Sequence, residues 1–454
     1  MDATQTREVF TRILPAARIA EAVERLGVQE RARAFQPQEF IFSLILQGGT
    51  AEAGRIASVL RDYFERGNPR VSSRAYYRWF SEEFLALMNE LRRDATAYVL
   101  SMPLHLPGIL AGRKDWRVFD STTVKLPKEL QDTFQGTGDY SAIKVHKEYS
   151  LGLENVVDWH LSPAREHDAP HLKIDETRRG TGLIVDLGYA SQEIIKQCID
   201  HDVHLVLRLK NGWNVYIDDL SEDNLEWAGP TGLLNANSDQ PLEIPKSGNV
   251  DIDVSIGTGD NIVGCRLVAM DVPNGRVTLL TTISRKTHNI EEIAMLYRLR
   301  WSIEVDNKLV KTGCQLDEVQ TSKPVAAEIL IHAAMLASIL SNALCHASHV
   351  AQGAVGEKTV KLKEAPLHPI LVWKVIITGV ERIVQDLMQP DRVGATWQRT
   401  TDLVTHGGAD INWKTQPSAL DDVKGRNRSG LPWRRDIPIK SRKRPSHLTH
   451  SAMS

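Results

Sequence analysis

The sequence predicts an α/β protein: a mixed-sheet core interrupted by a β-rich insertion, preceded by a helical N-terminal domain and followed by a helical C-terminal region. Three observations predict it. The apolar period changes from near 3.6 residues to near 2 at about Asp115. Beyond that point two short apolar strands each lead into a carboxylate, Asp120 in Val-Phe-Asp-Ser-Thr and Asp186 in Ile-Val-Asp-Leu-Gly-Tyr. Near Asn289 the helical period returns and carries Tyr297, Arg300, Glu304 and Lys311 in the spacing Y-x2-R-x3-E-x6-K.

Taken in order, residues 1–110 read as a helical N-terminal domain, with apolar recurrence at 18–26, 38–46, 51–66 and 72–98. Gly67-Asn68-Pro69 is a turn, and Ser72 or Ser73 can cap the helix after it. Two readings fit this pair of helices. One is a helix-turn-helix whose second helix enters a major groove, with Arg74 and Arg78 as DNA contacts; the other is a plain helical hairpin with aromatic packing.

Residues 111–210 read as the first part of the core. Strands are expected at 116–119, 144–151 and 156–161, a helix at 169–179, a strand at 183–186, a helix at 191–200 and a strand at 203–209. Three strands, helix, strand, helix and strand is the order of an RNase H-like domain, with one acid on the first strand and another after the fourth. Residues 211–276 are polar and rich in Gly, Asn and Asp, with β-like runs at 214–217, 250–256 and 262–270, and form the β-rich insertion. Residues 277–348 return to the core through a strand at 277–283, the signature helix, and a helix from Pro324 to about Leu344 capped by Ser322 or Thr321. Residues 349–454 form the C-terminal region, with one apolar helix near 371–388 and a basic tail suited to dimerisation or DNA contact.

Composition narrows the function. At 454 residues with a formal net charge of -2, the chain is long enough for several domains and is neither disordered nor fibrous. The charge is uneven: Lys424 to Arg444 holds nine Lys and Arg against Asp436 alone, a balance that favours a polyanion as partner. Cys198, Cys265, Cys314 and Cys345 are too scattered for a disulfide framework or a zinc motif, so a reducing compartment is expected. No basic region followed by an apolar run opens the sequence, and residues 325–344 carry Glu328, His332, Ser338, Ser341 and Asn342, so a buried core helix is expected there and no membrane partner.

The signature carries the chemistry. On an ideal helix, Tyr297, Arg300, Glu304 and Lys311 fall within an arc of about 60°, while Leu296, Leu299, Ile303 and Val310 line a neighbouring face that can pack. Arg300 and Glu304 alone are an ordinary i,i+4 ion pair. The full pattern reads instead as a metal-ligating acid among cations that hold phosphates.

With Asp120, Asp186 and the complete signature, residues 116–344 resemble the DDE transposases of bacterial insertion sequences, in the group defined by the Tyr-Arg-Glu-Lys signature, whose members move by cut and paste. The resemblance implies that Asp120, Asp186 and Glu304 are catalytic and bind two Mg2+ ions, for which Mn2+ substitutes. Asp120 would bridge both ions, and Asp186 and Glu304 would hold one each. Two such ions activate the attacking water and stabilise the leaving oxygen, and Mg2+ accepts carboxylate oxygens. Tyr297, Arg300 and Lys311 are implied to contact DNA phosphates, positioning the end without reading its sequence. The resemblance further implies terminal inverted repeats and target DNA as partners, a homodimer on DNA, and a bacterial cytoplasmic, nucleoid-associated location.

A nuclease or resolvase that hydrolyses DNA without strand transfer is the alternative on the same fold. A DNA-binding derivative without catalysis does not need a complete signature. Gly136-Thr137-Gly138 lacks the Lys-Ser/Thr ending of a phosphate loop, so no nucleotide cofactor is expected. The resemblance makes Trp213 and Trp227 candidates for stacking on a flipped base, while each reads first as an ordinary packing residue. Lys144 and His146 fit either a DNA-facing or a solvated strand face.

Overall fold

Alternation along the strands at the centre of the chain decides which side chains face which layer. The structure, a computed structural model, describes residues 1–28, 36–46, 56–69, 72–217, 241–257, 262–272, 275–314, 316–317, 319–388, 395–413 and 418–426. Nine strands form one sheet: β1 (Trp116–Leu126), β2 (Ser141–Ser150), β3 (Asn155–Pro163), β4 (Gly182–Val185), β5 (His204–Arg208), β6 (Val215–Ile217), β7 (Val250–Ile256), β8 (Val263–Val272) and β9 (Gly275–Thr281). Their order is β3-β2-β1-β4-β5-β9-β8-β7-β6. β1, β4 and β5 run parallel, and the remaining pairs are antiparallel. The first five strands have the RNase H-like arrangement expected from the sequence. The insertion does not form a separate layer; β6, β7 and β8 extend the same sheet beyond β9.

Val118, Ile184 and Val206 point to one face and pack with Leu296, Leu299 and Ile303. Phe119, Leu183, Val185, Leu205 and Leu207 point to the other and pack with Ile194, Ile195 and Cys198 of α7 (Gln192–Asp200). Trp116 and Gly182 sit opposite each other where β1 meets β4. A Cβ at Gly182 would fall inside the Trp116 indole, so this approach of the two strands requires glycine.

The N-terminal helices are α1 (Ala3–Ile13), α2 (Ala16–Leu26), α3 (Pro37–Leu46), α4 (Ile56–Glu65), α5 (Ser73–Arg78) and α6 (Glu82–Ser101). The single helix expected over 72–98 is two. Ser81 caps α6 by accepting from the Phe84 N–H, Glu82 and Glu83 fill its first turn, and Phe80 is buried against Phe40 at the break. The part of the expected 51–66 helix before Ile56 lies outside the described residues.

The helix expected at 169–179 is replaced by two short 3₁₀ turns, Ala169–His171 and Glu176–Arg178. Leu172 and Ile174 are both buried while Lys173 between them is exposed, which is the period of extended chain and not of a helix.

After β9 come α8 (Ile290–Arg298) and α9 (Trp301–Lys308), a π turn (Leu309–Gly313), then α10 (Pro324–Ala351). Lys323 occupies the N-cap of α10 with no side-chain cap, in place of the Ser322 or Thr321 cap expected. α10 is long and apolar enough to cross a membrane, yet 83% of its most apolar window is buried inside the protein. At 1.5 Å per residue its 28 residues run about 42 Å, and α1, α3, α6 and β3 pack along it. α11 (Pro369–Thr378), α12 (Val380–Met388), α13 (Ala395–Gly407) and α14 (Ala419–Val423) follow among the described residues, and the apolar helix expected at 371–388 is interrupted at Gly379. α11 lies on α10, and α13 on α1, so helices from the N-terminal and C-terminal regions join one helical layer.

Candidate functional site

Asp120 and Asp186 reach the same face of the sheet for a simple reason. Phe119 and Val185 are partners in the parallel β1–β4 register, so the acids are the next residues on adjacent strands. Each lies two positions beyond a residue, Val118 or Ile184, that packs toward α8 and α9. Asp186 leaves β4 in extended conformation and opens the 3₁₀ turn Leu187–Tyr189.

Asp120 accepts from the Ser121 N–H at 2.8 Å and from Asn307 Nδ2 at 2.9 Å. Burial pushes its carboxyl up to about 6, and the Glu304 carboxylate adds to that rise; the Ser121 N–H, Arg300 and Lys147 oppose it. Glu304, in the first turn of α9, accepts from Arg300 Nη1 at 2.9 Å. Arg300 also lies within the electrostatic reach of Asp186 and Tyr297. Tyr297 is raised by burial and by Asp186, and the neighbouring Arg300 opposes that rise. Thus Asp120, Asp186, Glu304, Arg300 and Tyr297 come together from two strands and two helices.

The signature is not one ideal helix. Between α8 and α9 the backbone tightens: Arg300 N–H donates to Tyr297 O at 3.1 Å and Ser302 N–H to Leu299 O at 2.9 Å. Such an i,i+3 turn stacks residues three apart, which aligns Tyr297 with Arg300. The π turn that follows α9 widens the helix in the opposite sense. Gly313 ends it, where Trp373 Nε1 donates to its carbonyl at 3.1 Å and a Cβ would stand 3.3 Å from the Trp373 ring. Lys311 lies in that turn, half-buried, and among the described residues no hydrogen bond or ion pair ties it to the acids. The 60° arc expected from ideal geometry therefore does not hold for Lys311.

Arg74 and Arg78 are exposed on α5, a helix of six residues. Lys323, just before α10, donates to Tyr77 O at 2.8 Å and so ties α5 to the core. Trp213 is half-buried against the core of the second face, and Trp227 lies outside the described residues. Lys144 and His146 are neither solvated nor free for DNA. Lys144 pairs with Asp168 at 3.0 Å, and His146 is buried. Lys424 and Arg426, read from sequence as the start of a basic tail, are also buried, and both donate to Glu154. The rest of that tail lies outside the described residues.

Sequence reasoning missed the support behind the acids. Lys147 sits opposite Asp120 in the β1–β2 register and is fully buried. Its Nζ donates to Asp306 Oδ2 at 2.5 Å, and the other oxygen of Asp306 accepts from Ser338 and, at 2.9 Å, from Asn342. This network joins β2, α9 and α10 directly beneath Asp120 and places Asn307 against it. A signal was present: Ser338 and Asn342, four apart in an otherwise apolar helix, require buried partners. Trp301, beside Arg300, is 62% exposed, the largest exposed aromatic surface at this site.

Comparison with known proteins follows the same region. Residues 112–340 match the family model described as transposase DDE domain. The chain is 23% identical over 271 residues to the transposase for insertion sequence element IS231F of Bacillus thuringiensis subsp. israelensis, covering 51% of this chain and 57% of that protein. It is 23% identical over 229 residues to the putative transposase for insertion sequence element IS4SA of Synechocystis, covering 49% of this chain and 57% of that one. The chain thus spans little more than half the length of these relatives. A cryo-EM structure of the piggyBac transposase synaptic complex with hairpin DNA aligns over 92% of this chain and 87% of its own at 12% identity, with a TM-score of 0.43.

Proposed function

Because this chain belongs to the family of the transposase DDE domain, we propose that it is an insertion-sequence transposase that binds terminal inverted repeats, cleaves them, and joins the freed 3′ hydroxyl ends to target DNA. The convergence of Asp120, Asp186 and Glu304 on one face of an RNase H-like sheet carries this reading.

The residues suit a divalent metal. Asp120 and Glu304 repel one another strongly enough to help raise Asp120, and Asn307 Oδ1 is buried with no hydrogen-bond partner among the described residues. An oxygen-rich, negatively charged donor set of this kind fits Mg2+ or Mn2+, and Asp120, Asp186 and Glu304 would hold two such ions. When bound, the metal activates the attacking water or hydroxyl and stabilises the leaving oxygen.

The chain's own residues do the positioning. Asn307 and the Lys147–Asp306 pair fix the Asp120 carboxylate. Arg300 pairs with Glu304 at 2.9 Å; on DNA its guanidinium would turn to a phosphate, leaving the Glu304 carboxylate free to ligate. Tyr297 and Lys311 are further phosphate contacts, Trp301 offers a stacking surface, and Arg74 and Arg78 contact the end from the N-terminal region. Two chains pair the two ends, matching the two-fold relation of inverted repeats, and the reaction takes place on DNA in the cytoplasm.

The test supplies the full-length protein with precleaved end DNA carrying a 3′ hydroxyl, a target plasmid and Mg2+. Joined end–plasmid product is expected. Hydrolysis of uncut ends without any joining would replace this reading with that of a nuclease.

A further inference from the structure

On the face of the sheet opposite Asp120, three imidazoles converge from three separate elements. His146 lies on β2 opposite Ser121, His160 on β3, and His171 in the 3₁₀ turn Ala169–His171. One nitrogen from each lies within 4.8 Å of the other two. The rings are in contact, His146 with His171 at 4.0 Å between centroids and with His160 at 4.7 Å. Together they border a cleft of about 390 Å³ that also touches Trp159 and Lys173.

Three rings packed this closely cannot all be cationic. Glu166 Oε2 lies 3.0 Å from His171 Nε2, and a carboxylate only accepts, so His171 carries its proton there. That leaves the lone pair of His171 on Nδ1, aimed at His160 Nε2 at 3.0 Å. A carboxylate holding one imidazole nitrogen is the partner found behind metal-bound histidines, and a metal would replace the hydrogen bond that joins His171 Nδ1 to His160 Nε2. A tetrahedral zinc, about 2.0–2.1 Å from each nitrogen, sets its ligand atoms roughly 3.3 Å apart. The 3.0 Å between His160 Nε2 and His171 Nδ1 is close to this; His146, stacked on both rings and bonded at Nε2 to Ser162 Oγ (2.9 Å) and at Nδ1 to the Tyr189 hydroxyl (3.3 Å), gives up one of those bonds and turns out of the stack to complete the set.

We propose that His146, His160 and His171 form a second metal site, of the borderline transition-metal class typified by Zn2+ and distinct from the three acids. Imidazole nitrogens suit Zn2+, whereas Mg2+ takes oxygen, so the two sites select different ions. The site has a structural consequence for the other face. It clamps the segment after β3 onto β2 and β3, and that segment carries Asp168. Asp168 accepts from Ser121 Oγ at 2.9 Å, next to Asp120, and would lie 2.7 Å from a Cβ at Gly188, just after Asp186. The metal therefore braces the strands that present both aspartates. This inference does not depend on the transposition reaction.

The test uses full-length protein stripped with a chelator and titrated with Co2+, then Zn2+, while visible absorption and metal content are followed. One tetrahedral Co2+ per chain is expected, displaced by Zn2+ and unaffected by excess Mg2+ or by Glu304→Gln. His160→Ala and His171→Ala should each weaken binding by more than about tenfold. His171→Cys should keep the metal and add a thiolate charge-transfer band. Folded wild-type protein without a tetrahedral cobalt spectrum or stoichiometric zinc would overturn the proposal, as would zinc binding unchanged in both alanine variants. The wild-type titration decides the matter even if a variant fails to fold.

Discussion

At the scale of single residues, Asp120 carries the most consequence. Burial, with Glu304 second, raises its carboxyl from 3.8 to about 6 in the metal-free protein. A group raised in the folded state stabilises fully below its unfolded value, and that stability is lost as pH climbs through the folded value. The metal-free protein should therefore lose on the order of 2 kcal/mol from this residue between about pH 4 and pH 7. Denaturant melts in chelator check it: Asp120→Asn should be more stable than wild type at neutral pH and lose that advantage toward pH 4. A difference independent of pH would contradict the assignment. The nearness of Asp120 to Asp186 and Glu304 was legible in the sequence because each sits at a marked change of pattern, two at strand ends and one inside a fixed helical spacing. Asn307 was not. Its role comes from a bond to Asp120, a residue 187 positions away, which no local pattern encodes.

At the scale of elements, the signature region shows what helical spacing can and cannot carry. Tyr297, Arg300 and Glu304 were placed on one face correctly even though the helix tightens between them, because a tightened turn also aligns residues three apart. Lys311 departs from the ideal helical spacing because it lies in a π turn against which Trp373 packs at Gly313, a tertiary contact that periodicity does not see. The missing helix at 169–179 failed for a different reason, since Leu172 and Ile174 follow a period of two within a segment rich in helix-compatible residues. The Lys147–Asp306 pair is the element-scale joint, linking β2, α9 and α10. Lys147→Met or Asp306→Leu alone should cost about 3–5 kcal/mol by leaving one buried charge unpaired, while the double variant should recover much of that loss. Chemical denaturation of the four proteins measures the coupling. Additive losses would show that the pair does not act as a unit.

At the scale of the whole molecule, one sheet and one helical layer contain parts that the sequence reading divided. The insertion strands continue the core sheet, and helices from the N-terminal and C-terminal regions pack around α10. Fold class and strand order were legible from alternation and turn residues. The long-range closure was not, because Glu154 and its partners lie far apart in sequence. Burial alone would raise Glu154, but Arg426 and Lys424 outweigh it and hold the carboxylate well below its usual range. A group lowered in this way stabilises above its unfolded value of about 4.5 and loses that contribution as pH falls through the folded value. Arg426→Met should destabilise the protein by about 3–5 kcal/mol at neutral pH, and the deficit should shrink in acid as Glu154 protonates. Thermal melts across that range test it, and a constant deficit would count against the buried pair. The central claim, that three acids form one metal-dependent site for DNA cleavage, is tested most directly by Glu304→Gln assayed separately for end binding and for Mg2+-dependent cleavage. Retained binding with cleavage abolished is the expected result. Cleavage at the wild-type rate would contradict the account.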